Sequence, residues 1–313
     1  MDEKRQKLKP IVGVSGCLLG EEIRYNGQHK KHPHILHEMA EDFNYISFCP
    51  EVSMGLGIPR PAVHLAEIDG KPHLVNAKDS SIDHTDLAEK TFEKITPELK
   101  VASGLVFTKG SPSCGNDPVR VYHAEKKVPF SKSKGLFALH VERVYPLIPK
   151  IDSGRLYDKE LRETFCSQVH SFHYFQNMEM KPHSLVKFHE EHKFYLLQYG
   201  EKFLKKLGRI CSGIDNKNIK EKWSLYEKAL FLETYKASIT VRKRTNVIEH
   251  MAGFFKKELS KSDKNYLHES IMAYHDHKLS FETLLVLIYY LTESKNQAYL
   301  KNQRIFSYYS KIK

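Results

Sequence analysis

Three short apolar runs, each with a cysteine just past its end, constrain the fold of this 313-residue chain more than any other feature. The runs cover residues 11–14, 45–48 and 104–108, and they carry the β-branched and aromatic side chains that are typical of buried strands. Segments with helical periodicity lie between them. Because strands and helices alternate along the chain, we predict an α/β fold with a parallel sheet.

Two helices are predicted between these runs. The first covers residues 34–43, where apolar side chains recur at helical spacing. The second runs through residues 87–99, and either Asp83 or Thr85 would cap its amino end. Each helix would return the chain to the start of the next parallel strand.

The cysteines that follow the three runs are Cys17, Cys49 and Cys114. Parallel strands end at one edge of a sheet, where open α/β folds bind ligands, so we expect these cysteines to share a cleft. Three interpretations stay open: zinc completed by a His or by water, a 4Fe-4S cluster with one open iron, or three unrelated buried thiols. The total of five cysteines without a secretion signal predicts reduced thiols, with Cys166 and Cys211 in structural roles.

The pattern changes beyond residue 165. Residues 154–165 indicate a turn and a short helix that close the first domain, and from His183 onward the periodicity is helical. Helices are predicted at 185–199, 223–239, 246–259, 263–275 and 281–291. We therefore predict an N-terminal α/β domain with a parallel sheet over residues 1–165 and a C-terminal all-α domain over residues 166–313.

The net charge of +11 is unevenly divided between these domains. Residues 1–165 hold 24 Lys and Arg against 23 Asp and Glu, whereas residues 166–313 hold 25 against 15, a surplus of +10. This surplus indicates a polyanionic partner, most commonly nucleic acid, although a solvated Lys-rich helical surface gives the same count.

The chain shows no sequence signature of membrane insertion. Its longest uninterrupted apolar run, residues 284–291, is too short to cross a bilayer, and residues 1–10 are charged and lack the apolar core of a signal peptide. We expect a soluble, cytoplasmic protein without a membrane partner. The oligomeric state has no signature in the sequence.

Several motifs resemble those of known families. In the first half these are VSGCLLG (14–20) with RYNG (24–27), CPEV (49–52) with GLGIPR (55–60), and KGSPSCG (109–115). Over roughly residues 10–165 the chain resembles the TudS-type thiouracil desulfidases. In the second half, FHEEHK (188–193), LGR (207–209), NVIEHMAGFFKK (246–257) and YLKNQ (299–303) resemble the YbgA-type helical domain. The order of the two domains is similar to that of RudS-type tRNA 4-thiouridine desulfidases.

The resemblance implies a 4Fe-4S cluster held by Cys17, Cys49 and Cys114, with its fourth iron open to the substrate sulfur. It also implies a hydrolytic reaction that needs no electron donor. A thiocarbonyl sulfur is soft and suits iron in a sulfur-rich shell. A general base must then act on water, and Glu51 in the matching motif is the candidate. Alternatively, the Glu51 carboxylate caps the turn or helix that follows it.

Five further motif residues are candidates for handling the substrate. Ser111 is the preferred proton relay or substrate anchor and Ser113 the alternate, although both could simply be turn residues around the intervening proline. Arg24, Arg60 and Lys109 are candidates for holding a pyrimidine oxygen, ribose or phosphate. Solvated or salt-bridged structural roles are the alternative for each of these cations.

The helical half carries the candidate RNA contacts. These are basic side chains clustered in one stretch of the sequence, namely Arg242, Lys243, Arg244, Lys256 and Lys257. His189 and His192 are spaced for one helical face, but no partner ligands accompany them, so we predict a packed or RNA-facing pair rather than a metal site.

These features together predict removal of sulfur from 4-thiouridine in tRNA, with release of sulfide. The sequence has neither a P-loop nor an SGGxDS-type pyrophosphatase signature, which argues against a nucleoside triphosphate as co-substrate and against sulfur insertion. Two alternatives are kept open. One is a desulfidase for free thiouracil or thionucleosides, and the other is a zinc-stabilised RNA-binding protein without catalysis.

Overall fold

The computed structural model describes residues 9–123, 126 and 128–309, which form two compact units. The first unit extends to Gln176 and the second begins at Asn177. A single helix, Lys159–Asn177, continues through the predicted domain boundary at Phe165, whose side chain is buried in the first unit. In the described part of the chain, no helix is both long enough and apolar enough to cross a membrane.

Among the described residues of the first unit, eight strands form two sheets. They are β1 (Ile11–Ser15), β2 (Asn44–Phe48), β3 (Val63–Ile68), β4 (Lys71–Asn76), β5 (Gly104–Phe107), β6 (Val119–His123), β7 (Pro129–Ser133) and β8 (Lys150–Asp152). The first sheet has the order β2-β1-β5-β8, and all its neighbouring strands are parallel. Val14 on β1 pairs with Ser47 on one side and with Val106 on the other. The predicted parallel α/β sheet is confirmed.

The helices of the first unit pack around this sheet. They are α1 (Gly16–Leu19), α2 (Pro33–Leu36), α3 (Pro50–Ser53), α4 (Thr85–Ile95), α5 (Leu136–Val144) and α6 (Lys159–Asn177). Val12 and Val14 share one hydrophobic core with side chains of α1, α2 and α6, and Phe92 of α4 packs against Phe137 of α5. Burying this apolar surface is the main stabilising contribution to the unit.

One detail of the predicted helices is wrong. The helix expected over 34–43 is instead the short α2 followed by a separate 3₁₀ turn, Met39–Glu41. α4 starts at Thr85, and the cap candidate Asp83 accepts hydrogen bonds from the backbone N–H and the hydroxyl of Thr85, 2.8 and 2.6 Å long. The intervening His84 makes no side-chain capping hydrogen bond.

The second sheet, with the order β4-β3-β6-β7, was absent from the sequence-based prediction. β3 and β4 form an antiparallel hairpin around Asp69 and Gly70, which both have positive φ angles, 50° and 75°. An Asp-Gly pair between two strands is a strong hairpin signal, because its backbone suits the required turn. This dipeptide could therefore have revealed the missing strands.

The second unit is helical throughout its described residues, as predicted. Its helices are α7 (Pro182–Glu191), α8 (Lys193–Leu197), α9 (Glu201–Cys211), α10 (Ile219–Lys228), α11 (Val241–Ala252), α12 (Lys261–His275), α13 (Phe281–Ser294), α14 (Ala298–Lys301) and α15 (Arg304–Tyr309). A π-helical turn, Ala229–Thr234, extends α10. The predicted apolar face over 185–199 is buried, but it is divided between α7 and α8 at His192.

Candidate functional site

The topology of the first sheet brings the three predicted cysteines together. β2, β1 and β5 are neighbours, and their carboxyl ends lead to Cys49, Cys17 and Cys114 respectively. All three side chains line one cavity of about 260 Å³. The expectation that the cysteines share a cleft at this edge of the sheet is therefore confirmed.

Each cysteine lies in a different local structure. Cys17 is in the first turn of α1, and Cys49 immediately precedes α3, where Pro50 occupies the first helical position. Proline suits that position because its fixed φ angle is helical and no N–H is needed there. Cys114 lies in the loop beyond β5, so the three sulfur atoms approach the cavity from separate segments.

Two hydroxyl side chains support the cysteines. Thr108 Oγ1 lies 3.1 Å from Cys17 Sγ, and Ser15 Oγ lies 3.4 Å from Cys114 Sγ. The backbone N–H of Thr108 in turn donates to Ser15 Oγ over 3.3 Å. Hydroxyl groups donate to thiolates, so this network orients two of the sulfur atoms as ligands. The sequence interpretation missed Ser15 and Thr108, although both are polar residues at the ends of cysteine-bearing strands.

Burial raises the pKa of all three thiols. The pKa of Cys49 rises to about 11 and that of Cys114 to about 12, and the pKa of Cys17 is also raised. A buried thiolate is costly unless a positive charge compensates it. Thiolates that bind a metal must lose their protons, so metal binding at this site would release protons and would be favoured as pH rises.

The loop that carries Cys114 is held by several backbone contacts. Ser111 Oγ accepts a hydrogen bond of 3.1 Å from the Cys114 N–H. The N–H of Phe137 on α5 donates over 2.8 Å to the carbonyl of Ser113. A Cβ atom on Gly115 would lie 2.7 Å from the Ser111 carbonyl oxygen, so a larger residue would displace the loop. Buried Asp152 also accepts a hydrogen bond of 3.0 Å from the backbone N–H of Asn116.

The Glu51 carboxylate borders the same cavity and has two side-chain partners. Arg60 donates to Glu51 Oε2 from Nε at 2.9 Å and from Nη2 at 2.7 Å. Ser113 Oγ donates to Glu51 Oε1 at 2.8 Å. No side chain caps α3. The geometry thus favours a carboxylate held in a fixed orientation at the cavity over the capping role considered for Glu51.

Arg60 and Ser113 hold the Glu51 carboxylate, and Arg60 also lines the cavity. The Arg60 side chain is only 3% exposed, and its Nη1 donates to the carbonyl of Gly57 at 3.1 Å. Nε and both terminal nitrogens of this predicted substrate-binding arginine therefore each donate one hydrogen bond within the protein. Ser113 is fully buried, whereas Ser111 lines the cavity. Of the two serines, Ser111 alone borders the space available to a substrate.

Cationic and aromatic side chains lie around the cavity. The predicted residues Arg24 and Lys109 line it, and Lys30 and Tyr25, which the sequence interpretation did not assign, line it as well. The Tyr25 ring is 44% exposed, and the Arg24 guanidinium lies 5.6 Å from its centroid. The backbone N–H of Lys30 donates to the Cys17 carbonyl at 2.8 Å, which fixes this loop beside the sulfur ligands.

The other two cysteines lie outside the cavity lining. Cys166 packs against the core of the first unit, and Cys211 ends α9 in the second unit. Burial raises the pKa of each thiol to about 12. Their surroundings agree with the structural roles expected for Cys166 and Cys211.

The predicted RNA-contact residues differ in accessibility. Arg242, Lys256 and Lys257 are exposed, and Lys243 is partly exposed, with its Nζ donating to the Ser238 carbonyl at 2.6 Å. Arg244, in contrast, is 2% exposed, with its guanidinium 4.5 Å from the centroid of Phe281. Burial therefore removes Arg244 from any surface that RNA could contact.

The histidine pair of the second unit packs against neighbouring aromatic side chains. His192 is fully buried and stacked on Phe188 with 3.8 Å between ring centroids, and its Nε2 lies 2.8 Å from the Tyr308 hydroxyl. His189 Nδ1 lies 3.1 Å from the Tyr226 hydroxyl. Burial lowers the pKa of His192 to about 3 and that of His189 to about 4. The His192 ring thus belongs to the core, and the partly buried His189 ring packs beside it.

The donor set suits a multinuclear cluster. Within the described ranges, no three His, Cys, Asp or Glu side chains are grouped closely enough to hold one metal ion. Cys17, Cys49 and Cys114 instead border a common cavity, and a 4Fe-4S cluster takes each thiolate on a different iron. The residues present therefore fit such a cluster.

Comparisons with known proteins cover both halves of the chain. Residues 12–153 match the family model described as 2-thiouracil desulfurase, and residues 193–310 match a family described as a protein of unknown function, DUF1722. The uncharacterized protein YbbK of Bacillus subtilis strain 168 is 30% identical over 112 residues, which cover 34% of this chain and 74% of YbbK. The solved structure of the [4Fe-4S]-dependent thiouracil desulfidase TudS is 26% identical and covers 49% of this chain and 97% of its own, with a TM-score of 0.40. The chain thus belongs to the 2-thiouracil desulfurase family and carries a DUF1722 domain in its helical unit.

Proposed function

We propose that this protein hydrolyses the carbon–sulfur bond of a thiolated pyrimidine, with 4-thiouridine in tRNA as its substrate. One observation carries the chemistry: three cysteines and a firmly oriented carboxylate border one cavity in a member of the 2-thiouracil desulfurase family. In the overall reaction, the oxygen of water replaces the thiocarbonyl sulfur, and the sulfur leaves as sulfide. No electrons are gained or lost, so no reductant is required.

Cys17, Cys49 and Cys114 would hold a 4Fe-4S cluster. When bound, the cluster supplies an iron without a protein ligand, and this soft metal centre attracts and polarises a thiocarbonyl sulfur. Hydrogen bonds from Thr108 and Ser15 would orient the two thiolates that they contact. The neighbouring residues are then responsible for positioning the substrate and moving protons.

Glu51 is the group that would accept a proton from the attacking water. Its Oε2 is occupied by the two Arg60 donors, whereas Oε1 accepts a single hydrogen bond, from Ser113. A carboxylate oxygen has two lone pairs, so Oε1 retains one that can face water in the cavity. The ion pair with Arg60 thus orients the base before the substrate arrives, which lowers the reorganisation needed during reaction.

The remaining cavity residues suit a nucleotide. Arg24, Lys30 and Lys109 provide positive charge that favours a phosphate or a pyrimidine oxygen, and the exposed Tyr25 ring offers a surface for an aromatic base. The Ser111 hydroxyl lines the cavity and can donate to a substrate oxygen while it accepts from the Cys114 N–H.

The helical unit supports the choice of RNA over a free base. All of the +10 surplus of the second half lies from Asn177 onward, because residues 166–176 contain no charged residue other than histidine. The exposed side chains Arg242, Lys256 and Lys257 belong to this surplus. A basic surface of this kind attracts the phosphate backbone of RNA and brings the catalytic cavity to its substrate.

Replacement of the base tests the catalytic part of the proposal. Glu51→Gln keeps the size of the side chain but cannot accept the proton, so turnover of 4-thiouracil and of 4-thiouridine in tRNA should fall by about 10² or more. Iron and labile sulfide should stay at wild-type levels, since the cysteines are unchanged. Loss of the 4-thio absorption under anaerobic conditions measures the rate.

The matched control is Glu98→Gln, which removes an exposed carboxylate outside the cavity lining. It should leave turnover unchanged. If Glu51→Gln turns over its substrates within about threefold of wild type, water is activated by another group and the assignment of Glu51 as general base is wrong.

A further inference from the structure

The second unit displays an aromatic pair on its surface. Phe254 follows the carboxyl end of α11, and its side chain is 38% exposed although it is a large apolar residue. Its ring stacks on Tyr299 with 5.6 Å between centroids and only 10° between planes. The buried ring of Phe194 supports both from below, in edge-on contacts at 6.1 and 6.4 Å.

Three exposed lysines lie beside this pair, Lys193 in space and Lys256 and Lys257 in the sequence. Lys193 is exposed, and its Nζ lies 5.6 Å from the Tyr299 centroid and 5.6 Å from that of Phe194. Lys256 and Lys257 lie two and three residues after Phe254 in the chain, and both are exposed. We call Lys193, Phe254, Tyr299, Lys256 and Lys257 the aromatic platform.

Two carboxylates, Glu258 and Glu190, must be considered beside the lysines of the platform. Glu258 accepts a hydrogen bond of 2.5 Å from Gln297 Nε2, which directs it to a partner within the protein. Glu190 influences Tyr299 electrostatically from its exposed position at the end of α7. The residues of the platform itself include three exposed lysines and no carboxylate.

An exposed ring with flanking lysines has the chemistry of a single-strand nucleic-acid site. An unpaired base gains stacking energy on an aromatic face, and nearby ammonium groups neutralise the adjacent phosphates. Phe254 is stacked on Tyr299. This contact already orders the Phe254 side chain, so binding a ligand costs less conformational entropy. Three of the segments that resemble the YbgA-type domain, those containing residues 193, 254–257 and 299, meet at this surface.

We propose that the aromatic platform binds an unpaired base of RNA by stacking on Phe254. This inference rests on the proposed function, since it assigns the part of the helical unit that contacts a single-stranded region of the tRNA substrate. It differs from the purely electrostatic binding described above, because stacking depends on the base and not on the phosphate charge.

The test measures binding by the full-length protein to two fluorescent RNA strands, each about 12 nucleotides long. One is oligouridylate, and the other is an abasic strand with the same number of phosphates. Phe254→Leu keeps an apolar side chain but removes the ring, so affinity for oligouridylate should fall about 5- to 150-fold, the loss of one base–aromatic stack. Affinity for the abasic strand should stay within about twofold of wild type.

Two variants control for indirect effects. Tyr290→Leu removes another ring of the same unit that is 66% exposed, and it should change neither affinity. Phe254→Trp keeps an aromatic face and should retain binding, and oligouridylate should quench its added indole fluorescence while the abasic strand does not. The natural Trp223 is buried and contributes a constant background.

Equal losses on both strands for Phe254→Leu, or no loss on either, would overturn stacking at Phe254. Absence of quenching in Phe254→Trp would overturn it as well. Turnover of 4-thiouridine in tRNA by the wild-type protein is measured in parallel. Base-dependent quenching without any turnover would refute the proposed function alone. Turnover by the wild-type protein, together with Phe254 variants whose affinity for oligouridylate equals that of the wild type, would refute the platform alone.

Discussion

Cys17→Ser, Cys49→Ser and Cys114→Ser should each abolish desulfuration together with the visible absorption of the iron–sulfur cluster. Each thiolate supplies one bond to a different iron, and a serine oxygen is a harder, less suitable ligand in a sulfur-rich shell. The three side chains line one cavity, so no other cysteine can take their place without moving its backbone. Absorption spectra, iron and labile sulfide are measured anaerobically, together with turnover.

Cys166→Ser and Cys211→Ser are the matched controls, because both thiols lie outside the cavity lining. They should retain the absorption and the turnover of the wild-type chain. Full activity in any one of the three cavity variants would contradict the ligand assignment. Wild-type protein with stoichiometric zinc and no iron would instead support the alternative of a zinc-stabilised RNA-binding protein.

The second large effect is the dependence of tRNA affinity on salt concentration. If the helical unit contacts about six to ten phosphates, affinity for tRNA should fall roughly 10³- to 10⁵-fold between 50 and 200 mM salt on duplex-like regions. Each exposed cation that contacts a phosphate releases a counterion, so Arg242→Glu, Lys256→Glu and Lys257→Glu should each weaken binding and flatten the salt dependence. Titrations of labelled tRNA at several salt concentrations measure both quantities.

Lys90→Glu, a charge reversal at an exposed lysine of the first unit, is the control and should leave the slope unchanged. Hydrolysis of free 4-thiouracil should be unaffected by the three reversals in the helical unit, since none of those residues lines the catalytic cavity. A salt-independent affinity, or a protein that acts on free 4-thiouracil far better than on tRNA, would contradict RNA as the substrate.

The parallel sheet and its cysteine edge were predictable because they depend on local and strongly patterned signals. Three β-branched runs, each ending near a cysteine, suffice to place Cys17, Cys49 and Cys114 on one edge, since parallel strands end together. The order of β2, β1 and β5, which makes the three strands that precede the cysteines neighbours, is a non-local property that the pattern alone does not determine.

The parts of the site that depend on pairing between distant side chains were not predictable. Arg60 was assigned to the substrate because it is a motif cation, and the fold adds an ion pair with Glu51, nine residues away, that the motif did not indicate. Ser113 was the alternate proton relay, and its hydrogen bond to the same carboxylate was likewise not evident from the sequence. Arg244 lies in a basic stretch of sequence, yet α11 turns it inward beneath Phe281, where cation–π contact compensates its burial.

Hydrolysis itself can be followed atom by atom. The cluster-loaded protein is incubated in ¹⁸O-labelled water with tRNA containing 4-thiouridine, and the nucleosides are then analysed by mass spectrometry while released sulfide is quantified. The proposed chemistry predicts uridine that carries one ¹⁸O atom for each sulfide released, without any added reductant. A yield of ¹⁸O-labelled uridine well below the sulfide released, a requirement for reductant, or equal turnover by iron-free protein would contradict a cluster-dependent hydrolytic desulfidase.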